Sequence, residues 1–546
     1  MFGKSDKKNY FGLRGSKLQI AVGVLAGLDF LLFGYDQGVT GGLLTLISFR
    51  EQFPTIDQYA SDISAEERNA RSTYQGITVA SYNLGCFCGA VACIFLGNPL
   101  GRRRTIFVGT CIMVVGAILQ SSSYQLEQFI IGRLVTGFGN GLNTSTIPTW
   151  QSECSRSHQR GKLVMIEGSL IVCGVMIAYW IDFGLYFTDP NPVSWRFPLA
   201  FQIFFCIPII LFIFSLPESP RWLLLRGRED EALEVLAVLN DVEPDSQFVT
   251  NEFYAIKDTV LEASKGSFRD LFTMDENRHF HRVVLAYVNQ MFQQISGINL
   301  ITYYIPNVLE NEVGLSAFNA KLIAACNGTE YFMASWIAIF TIEKVGRRKL
   351  MIFGAAGMSI CMVVLAITDS LHTTKAGIVE TVFLFLFNTC FAIGWLGMTW
   401  LYPAEIVPLK IRAPANAVST TANWIWNFMV VMITPVAFTS IGYKTYIIFA
   451  VINGALILPV TYFFYPETAY RSLEEMDAIF VKNRSIFTTV RDAKNEPHRY
   501  DKQGNVLIDY EATEEHERRR SSVAYTAPRR LSRTSGDEKG VVEHDA

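Results

Sequence analysis

Twelve apolar runs in the sequence are each long enough to cross a lipid bilayer. A helix needs about 20 apolar residues to span the hydrocarbon layer, and 50% of this chain is hydrophobic while 18% is charged. Membrane-spanning segments are predicted over residues 20–45, 74–97, 105–122, 127–151, 162–186, 197–216, 282–309, 319–342, 349–369, 378–402, 414–438 and 445–465. The pattern predicts an all-α membrane protein with twelve transmembrane helices, embedded in the lipid bilayer.

Polar stretches divide these runs into two groups of six. The predicted regions are a cytoplasmic N-terminus (1–19), a six-helix half (20–216), a cytoplasmic linker with intracellular helices (217–281), a second six-helix half (282–465) and a cytoplasmic C-terminal tail (466–546). The tail is polar and charge-dense, so we expect it to be mostly disordered after about residue 482.

Basic residues lie at alternate ends of the predicted helices. Lys and Arg are retained on the cytoplasmic side of a membrane, and they cluster at Arg102-Arg103-Arg104 and around Arg347-Arg348, whereas the loop 123–126 has none. An even number of spans then places both termini in the cytoplasm.

Composition excludes several classes of protein. The formal net charge of −3 offers no basic excess for a nucleic acid. The ten cysteines lie in or beside apolar runs, as reduced hydrophobic residues do. The sequence has no phosphate-binding loop and no paired metal-ligand motif. We therefore expect neither an enzyme nor a bound cofactor or metal.

Three local motifs recur in the two halves. Gly101-Arg102-Arg103 returns as Gly346-Arg347-Arg348, 245 residues later. Pro217-Glu218-Ser219 returns as Pro466-Glu467-Thr468, 249 residues later, and a Glu seven residues before an Arg also occurs in both halves. Repeats at nearly one offset indicate duplicated six-helix units. Such units place a site at the membrane midplane between the halves and alternate access to it by rocking.

These motifs resemble the sugar porter family of the major facilitator superfamily, over about residues 20–480. The residues that carry the resemblance are Gly34-Tyr35-Asp36, both Gly-Arg-Arg motifs, Gly132-Arg133, Pro217-Glu218-Ser219-Pro220-Arg221, Gln293-Gln294-Ile295-Ser296-Gly297-Ile298-Asn299 with Tyr303-Tyr304, and Pro466-Glu467-Thr468. A fungal sugar-transporter-like clade that includes the yeast glycerol/proton symporter is closer still. That similarity lies in Gly141 to Pro148, Trp150-Gln151-Ser152-Glu153 and Trp180-Ile181-Asp182-Phe183-Gly184.

Two glutamines in the seventh span are candidates for binding a hydroxylated ligand. Gln293 and Gln294 lie in an otherwise apolar segment, where a polar side chain is costly unless it lines a cavity. Side-chain amides both donate and accept hydrogen bonds, as hydroxyl groups do. Asn299 joins them only if the helix unwinds near Ser296-Gly297, as discontinuous transporter helices do. Hydrogen bonding between helices is the alternative role.

The resemblance implies a larger set of substrate contacts. They are Gln293, Gln294, Asn299, Tyr303, Tyr331, Trp400, Asn423, Trp424 and Asn427. The chain departs from the family pattern at Gly168, which replaces a sugar-binding Gln beside Glu167, at Tyr331, which replaces an Asn beside Glu330, and at Gly397, which replaces a Pro. These departures put a plain hexose in doubt, and the sequence leaves hexose, pentose, polyol and sugar acid open.

Asp36 in the first span is the candidate proton carrier. Burial of a carboxylate favours its neutral form, and a nearby cation favours its charged form. The resemblance implies Arg133 in the fourth span as that cation. A purely structural ion pair is the alternative.

Charged residues at the cytoplasmic helix ends form a second set. In the family they act as a latch that closes the cytoplasmic side, and a solvated surface pair is the alternative for each one. The set is Arg102, Arg103, Glu153, Arg160, Glu218, Arg221, Glu343, Arg347, Arg348, Glu405, Arg412 and Glu467.

The resemblance implies a plasma-membrane transporter of a small-molecule sugar or polyol that is driven by protons through alternating access. A facilitated-diffusion uniporter is the alternative, and a nutrient sensor that does not transport is less favoured because the tail lacks signalling repeats. Arg518-Arg519-Arg520-Ser521-Ser522 and Arg529-Arg530-Leu531-Ser532 suit basophilic kinases. The tail is thus a candidate for kinases and the ubiquitin machinery, or a solvated charge run.

Overall fold

Long helices joined by short loops account for most of the computed structural model. The structure describes residues 10–60, 63–155, 160–264, 267–275, 277–471, 473–482 and 485–496. Within them, twelve membrane helices are numbered in chain order. Their bounds are α1 Gly15–Leu43, α2 Ala65–Leu100, α3 Arg102–Ser121, α4 Leu126–Cys154, α5 Arg160–Tyr186, α6 Val193–Phe212, α7 His279–Gln293 resuming at Asn299–Asn307, α8 Ala317–Val345, α9 Arg347–Leu371, α10 Thr374–Gly394 resuming at Met398–Ile406, α11 Arg412–Ile441, and α12 Lys444–Val451 resuming at Leu458–Phe464.

The helices form two six-helix halves, as the sequence predicts. In the first half α4 packs between α2 and α3 while α1 packs along α5, and in the second half α10 packs against α8 and α9. The halves meet where α2 packs against α11 and α5 packs against α8. Gly76 on α2 allows the close approach of α2 to α11, because a Cβ at this position would lie 2.3 Å from the carbonyl oxygen of Met432 on α11.

Large apolar side chains cover the outer faces of the helices. Phe95, Phe340, Ile360 and Ile378 are each more than 60% exposed, as expected of residues that face lipid. Among the residues that the structure describes, nine helices are long and apolar enough to cross a membrane. The other three of the twelve, α4, α7 and α8, carry buried polar side chains such as Arg133, Gln293 and Asn327.

Helix ends differ from the predicted spans because helices continue past the hydrocarbon layer. The clearest case is α2, which begins at Ala65 rather than at 74, where Ser64 accepts a hydrogen bond from the backbone N–H of Glu67 at 3.1 Å.

The mostly disordered tail after about residue 482 stays a prediction, and the structure describes residues 485–496 within it. They include a short helix, Thr489–Asn495. Ala493 in this helix is buried, and its carbonyl oxygen accepts a hydrogen bond from the side chain of Arg471. Tertiary contacts therefore order a segment whose polarity alone predicts disorder.

The duplicated motifs build the same structure at the starts of α3 and α9. Each helix follows a glycine with a positive φ, +86° at Gly101 and +95° at Gly346. A carboxylate then accepts hydrogen bonds from the first backbone N–H groups of the helix. Glu218 does so at 3.3 Å for both bonds on α3, and Glu467 does so at 2.8 and 3.1 Å on α9. Each acid thus satisfies amides that a helix start leaves unpaired.

The linker packs beneath both halves through short helices, Pro220–Leu225, Glu229–Asn240 and Gln247–Ser264. Gln19 at the start of α1 donates to the carbonyl of Leu239 at 2.8 Å. On the other side, Lys410 pairs with Asp270 at 3.0 Å. The linker therefore touches the cytoplasmic end of each half.

Gly34→Ala is predicted to destabilise the protein, whereas Gly184→Ala is not. A Cβ at Gly34 on α1 would lie 1.7 Å from the carbonyl oxygen of Ile171 on α5, whereas Gly184 on α5 has no neighbour within 4 Å. We expect Gly34→Ala to destabilise the fold by about 1–3 kcal/mol and Gly184→Ala to be neutral or stabilising by up to about 1 kcal/mol. Thermal unfolding of the purified proteins measures both, and equal midpoints would contradict this packing of α1 on α5.

Glu467→Ala is predicted to destabilise the protein more than Glu343→Ala. Loss of Glu467 leaves the backbone amides of Arg347, Arg348, Thr468 and Ala469 without their acceptor, at about 1–3 kcal/mol. Glu343 is the matched control because its side chain is 53% exposed, so its ion pair with Arg347 is largely solvated on the Glu343 side and is worth about 0–1 kcal/mol. A smaller drop in unfolding temperature for Glu467→Ala than for the control would refute the capping role.

Candidate functional site

The seventh helix is interrupted in the middle of the membrane. It widens into a π-turn at Gln294–Ile298 before it resumes at Asn299. Gly297 in this turn has a φ of +100°, and a Cβ there would lie 2.8 Å from the terminal methyl of Met362. Single π-turns often mark functional sites. The break lies at Ser296-Gly297, where unwinding is the condition for Asn299 to join the glutamines.

The interruption brings Asn299 back to the glutamines. Asn299 Nδ2 donates to Gln294 Oε1 at 2.6 Å, and Gln294 Nε2 donates to Gln293 Oε1 at 2.9 Å. Asn423 of α11 donates from Nδ2 to Gln293 Oε1 at 3.1 Å and to Gln290 Oε1 at 2.7 Å. All five side chains are buried. We call Gln290, Gln293, Gln294, Asn299 and Asn423 the amide cluster.

Neighbouring helices hold the amide cluster in place. Gln293 Nε2 donates to the carbonyl oxygens of Trp395 and Leu396, which follow the first part of α10, at 3.3 and 3.2 Å. Asn453 of α12 donates to the carbonyl of Ser296 at 2.7 Å, which pairs a backbone group at the break. The cluster therefore joins α7 to α10 and α11, and α12 supports the turn.

The first half reaches α7 through hydroxyl groups and close backbone contacts. Tyr303 is buried and donates from its hydroxyl to Asn83 Oδ1 of α2 at 3.1 Å. Gly41 of α1 faces the carbonyl of Tyr303, where a Cβ would lie 2.6 Å away. Beyond them, Tyr59 donates to Glu312 at 3.0 Å and Arg50 lies 3.9 Å from Glu310. These contacts join the two halves at their outer ends, so the structure is closed on that side.

Three other predicted substrate contacts, Trp424, Asn427 and Tyr331, are buried but have different surroundings. Trp424 is buried beside Asn423, and its ring meets Phe33 at 5.1 Å between centroids and Tyr82 at 6.5 Å. Asn427 is buried, and its Oδ1 has no partner among the described residues. Tyr331 is buried against Phe391, with centroids 6.2 Å apart.

Trp400 is half-buried on α10, and the structure places neither it nor Tyr331 in hydrogen-bonding contact with the amide cluster within the described residues. Glu330, which the sequence left without a role, accepts from Thr389 of α10 at 2.5 Å.

Asp36 and Arg133 are both fully buried between the helices of the first half. Arg133 donates to Thr40, one turn after Asp36 on α1, at 2.7 Å, and to the carbonyl of Val79 at 3.1 Å. Neither carboxylate oxygen of Asp36 has a hydrogen-bond partner within the described chain. Asp29, the neighbouring acid, accepts from Asn143 at 2.7 Å. Asp36 is thus an unpartnered acid near a buried guanidinium group.

The predicted latch residues form one ion-pair cluster in each half. In the first half Arg102 pairs with Glu153 at 3.1 Å and Arg103 with Glu218 at 3.6 Å. The second-half cluster is centred on Arg347, which pairs with Glu405 at 2.8 Å and with Glu343 at 2.9 Å. Three of these ion pairs join residues of one half, and the fourth joins Arg103 to the start of the linker. A lock across the halves therefore stays a prediction.

Two other predicted latch residues, Arg348 and Arg412, donate hydrogen bonds to backbone carbonyls. Arg348 donates to the carbonyl of Tyr462, Arg412 donates to the carbonyl of Val407, and Arg221 is half-buried. The side chain of Arg160 lies outside the described part.

A buried lysine at the outer end of α8 was not among the predicted residues. Lys321 is 3% exposed, donates to Thr45 after α1, and lies 5.4 Å from the ring centre of Tyr186. A lysine just inside a predicted span was the available signal, because a charge there requires a partner. Gln290 and Asn83 were also absent from the predicted contacts, although both are polar residues in apolar runs.

Comparison with known proteins gives the same fold and family. The model of the family "Sugar (and other) transporter" matches residues 22–480. The sugar transporter STL1 of Saccharomyces cerevisiae is 40% identical over 483 residues, which cover 87% of this chain and 84% of that protein. The MFS-type transporter oryC of Aspergillus oryzae is 40% identical over 493 residues, which cover 89% of each chain.

Solved structures agree with this relationship. The proton:xylose symporter XylE bound to 6-bromo-6-deoxy-D-glucose has a TM-score of 0.72 and 26% identity, covering 85% of this chain and 100% of that one. The inward-open conformation of XylE from E. coli has a TM-score of 0.68 and 25% identity, covering 84% and 99%. With its twelve helices in two halves and its family match over most of its length, this chain is a multi-pass membrane protein that belongs to the sugar transporter family of the major facilitator superfamily.

Proposed function

We propose that this protein transports a sugar or a related polyol across the membrane together with a proton, by alternating access. The amide cluster is the observation that carries the proposal. It places donors and acceptors in a buried position at the break of α7, in contact with α10 and α11. Hydroxyl groups of a polyol match such amides, because both donate and accept.

The relatives support the substrate class and the coupling. They include proteins named as a sugar transporter and as a proton:xylose symporter. Phe33, Tyr82 and Trp424 add apolar ring faces near the amides, which suit the C–H face of a sugar ring. The buried, unpartnered Asp36 supplies a group that can take up a proton.

Proton coupling follows from two states of Asp36. Without a partner in a low-dielectric interior, a carboxyl group is stabilised in its neutral form. When the Arg133 side chain turns from Thr40 to Asp36 within the first half, the charged form is stabilised and the proton is released. Substrate and proton then cross together because both are bound in the same conformational change.

We place this activity in the plasma membrane, with the tail available to kinases and ubiquitin machinery. The proposed phosphorylation motifs, at 518–522 and 529–532, lie outside the described residues.

Uptake into yeast that lacks its own sugar and polyol transporters tests the proposal directly. We expect cells that express this protein to concentrate at least one radiolabelled compound from a panel of hexoses, pentoses and polyols, and a protonophore to abolish the accumulation. Equilibration without accumulation would instead assign facilitated diffusion. Surface expression without any uptake would favour a sensor.

Gln294→Ala is predicted to raise the KM for transport about fivefold to tenfold, the effect of one lost hydrogen bond to substrate. Protein abundance in the membrane should change little, because the residue fills a polar site rather than an apolar core. Uptake kinetics with quantitative immunoblotting measure both quantities. Gln120→Ala is the matched control: this buried amide bonds to Thr136 away from the amide cluster, and its KM should match that of the wild type. An unchanged KM for Gln294→Ala would remove α7 from the site.

Asp36→Asn is predicted to abolish accumulation against a gradient while exchange of internal for external substrate continues. Asparagine keeps the shape of the neutral acid but carries no titratable proton, and exchange requires no net proton movement. Counterflow and net uptake, each with and without a protonophore, separate the two activities.

Asp29→Asn is the control for this experiment, since Asp29 is already hydrogen-bonded to Asn143. It should retain accumulation. Normal accumulation by Asp36→Asn would exclude Asp36 as the proton carrier.

A further inference from the structure

A cavity of about 500 Å³ lies between α1, α4 and α5. It extends from Ser16 and Ser155, at the cytoplasmic ends of α1 and α4, to Glu167 and Leu170 on α5. The cavity therefore leads from the cytoplasmic side toward the middle of the membrane, in a structure whose outer side is closed.

Two buried polar side chains line this otherwise largely apolar cavity. Glu167 is 4% exposed, and its carboxylate has no hydrogen-bond or ion-pair partner in the described part of the chain. Gln151 is 3% exposed, and its Oε1 has no partner among the described residues. Its amide nitrogen lies on the side of Gly23, which also lines the cavity. Buried polar groups without partners indicate a ligand or water that supplies them.

The inner end of the cavity lies next to the contact between α5 and the break of α10. Gly168, the residue after Glu167, faces α10, where a Cβ would lie 3.6 Å from Leu396 Cγ. The carbonyl of Leu396 in turn accepts from Gln293 Nε2 at 3.2 Å. One residue of α5 and one of α10 thus separate Glu167 from the amide cluster.

We propose that this cavity is a cytoplasmic subsite for the hydroxylated substrate, and that Glu167 and Gln151 bind its hydroxyl groups there as it leaves the amide cluster. The inference rests on the proposed transport function and adds a second site to it. A hydroxyl group can donate to the carboxyl oxygens of Glu167, and it can accept from Gln151 Nε2. An organic ammonium ion only donates and would leave that nitrogen unpaired.

Transport measured from each face tests the subsite. Right-side-out and inside-out vesicles from yeast that express the protein present radiolabelled glycerol or D-xylose to the outer or the cytoplasmic face. Glu167→Ala should raise the KM at the cytoplasmic face about fivefold to tenfold, while the KM at the outer face stays within about twofold. Glu167→Gln should stay near the wild-type value at both faces, because an amide also bonds a hydroxyl group.

A second variant narrows the cavity without changing Glu167. A Cβ at Gly23 would meet only Gln151 Nε2, at 3.9 Å, whereas a Cβ at Gly27 would lie 2.6 Å from Leu170. Gly23→Leu should therefore fold normally, as checked by size-exclusion chromatography, and should raise the KM at the cytoplasmic face. Glu330→Ala is the matched control, since this acid bonds to Thr389 away from the cavity, and its ratio of the two KM values should not change.

The outcomes separate the subsite from the transport function. Wild-type transport with an unchanged cytoplasmic-face KM in Glu167→Ala and Gly23→Leu overturns the subsite and leaves the proposed function intact. Equal losses in Glu167→Ala and Glu167→Gln assign an ionic ligand and overturn the binding of hydroxyl groups by Glu167. Failure of the wild-type protein to transport or bind either probe overturns the subsite for these compounds and counts against the proposed function itself.

Discussion

Polar groups inside a bilayer must find partners within the protein, and the break in α7 shows how this chain meets that constraint. The π-turn at Gln294–Ile298 frees backbone groups, and Asn453 of α12 donates to one of them, the carbonyl of Ser296. The same turn brings Asn299 to the glutamines. The same π-turn therefore both requires the support of Asn453 and assembles the amide cluster.

The two halves obey the same constraint at their cytoplasmic ends. A glycine with positive φ starts α3 and α9, and a glutamate from the end of the half satisfies the first amides of each helix. This arrangement ties the third helix of each half to the segment that follows its sixth helix. These contacts make each half a rigid unit, as rigid-body rocking of the two halves requires.

Access to the site is unequal on the two sides of the membrane. Contacts through Tyr303, Glu310 and Glu312 join the halves at the outer end, while the cavity beside Glu167 reaches the cytoplasmic ends of α1 and α4. The ion pairs of Arg102 and Arg347 lie within each half in this structure, and that of Arg103 joins the first half to the start of the linker. That distribution fits a lock that forms between the halves only when the inner side closes.

The sequence by itself determined the twelve spans and the duplicated halves, because apolar length and repeated motifs are local properties of the chain. It also singled out Gln293 and Gln294, and it made the approach of Asn299 depend on a break near Gly297. Only the tertiary structure decided which groups are paired: Arg133 donates to Thr40 and leaves Asp36 unpartnered among the described residues, and Glu167 faces a cavity. Partners of this kind come from helices far apart in the chain, and their choice depends on how the helices pack, which no local pattern records.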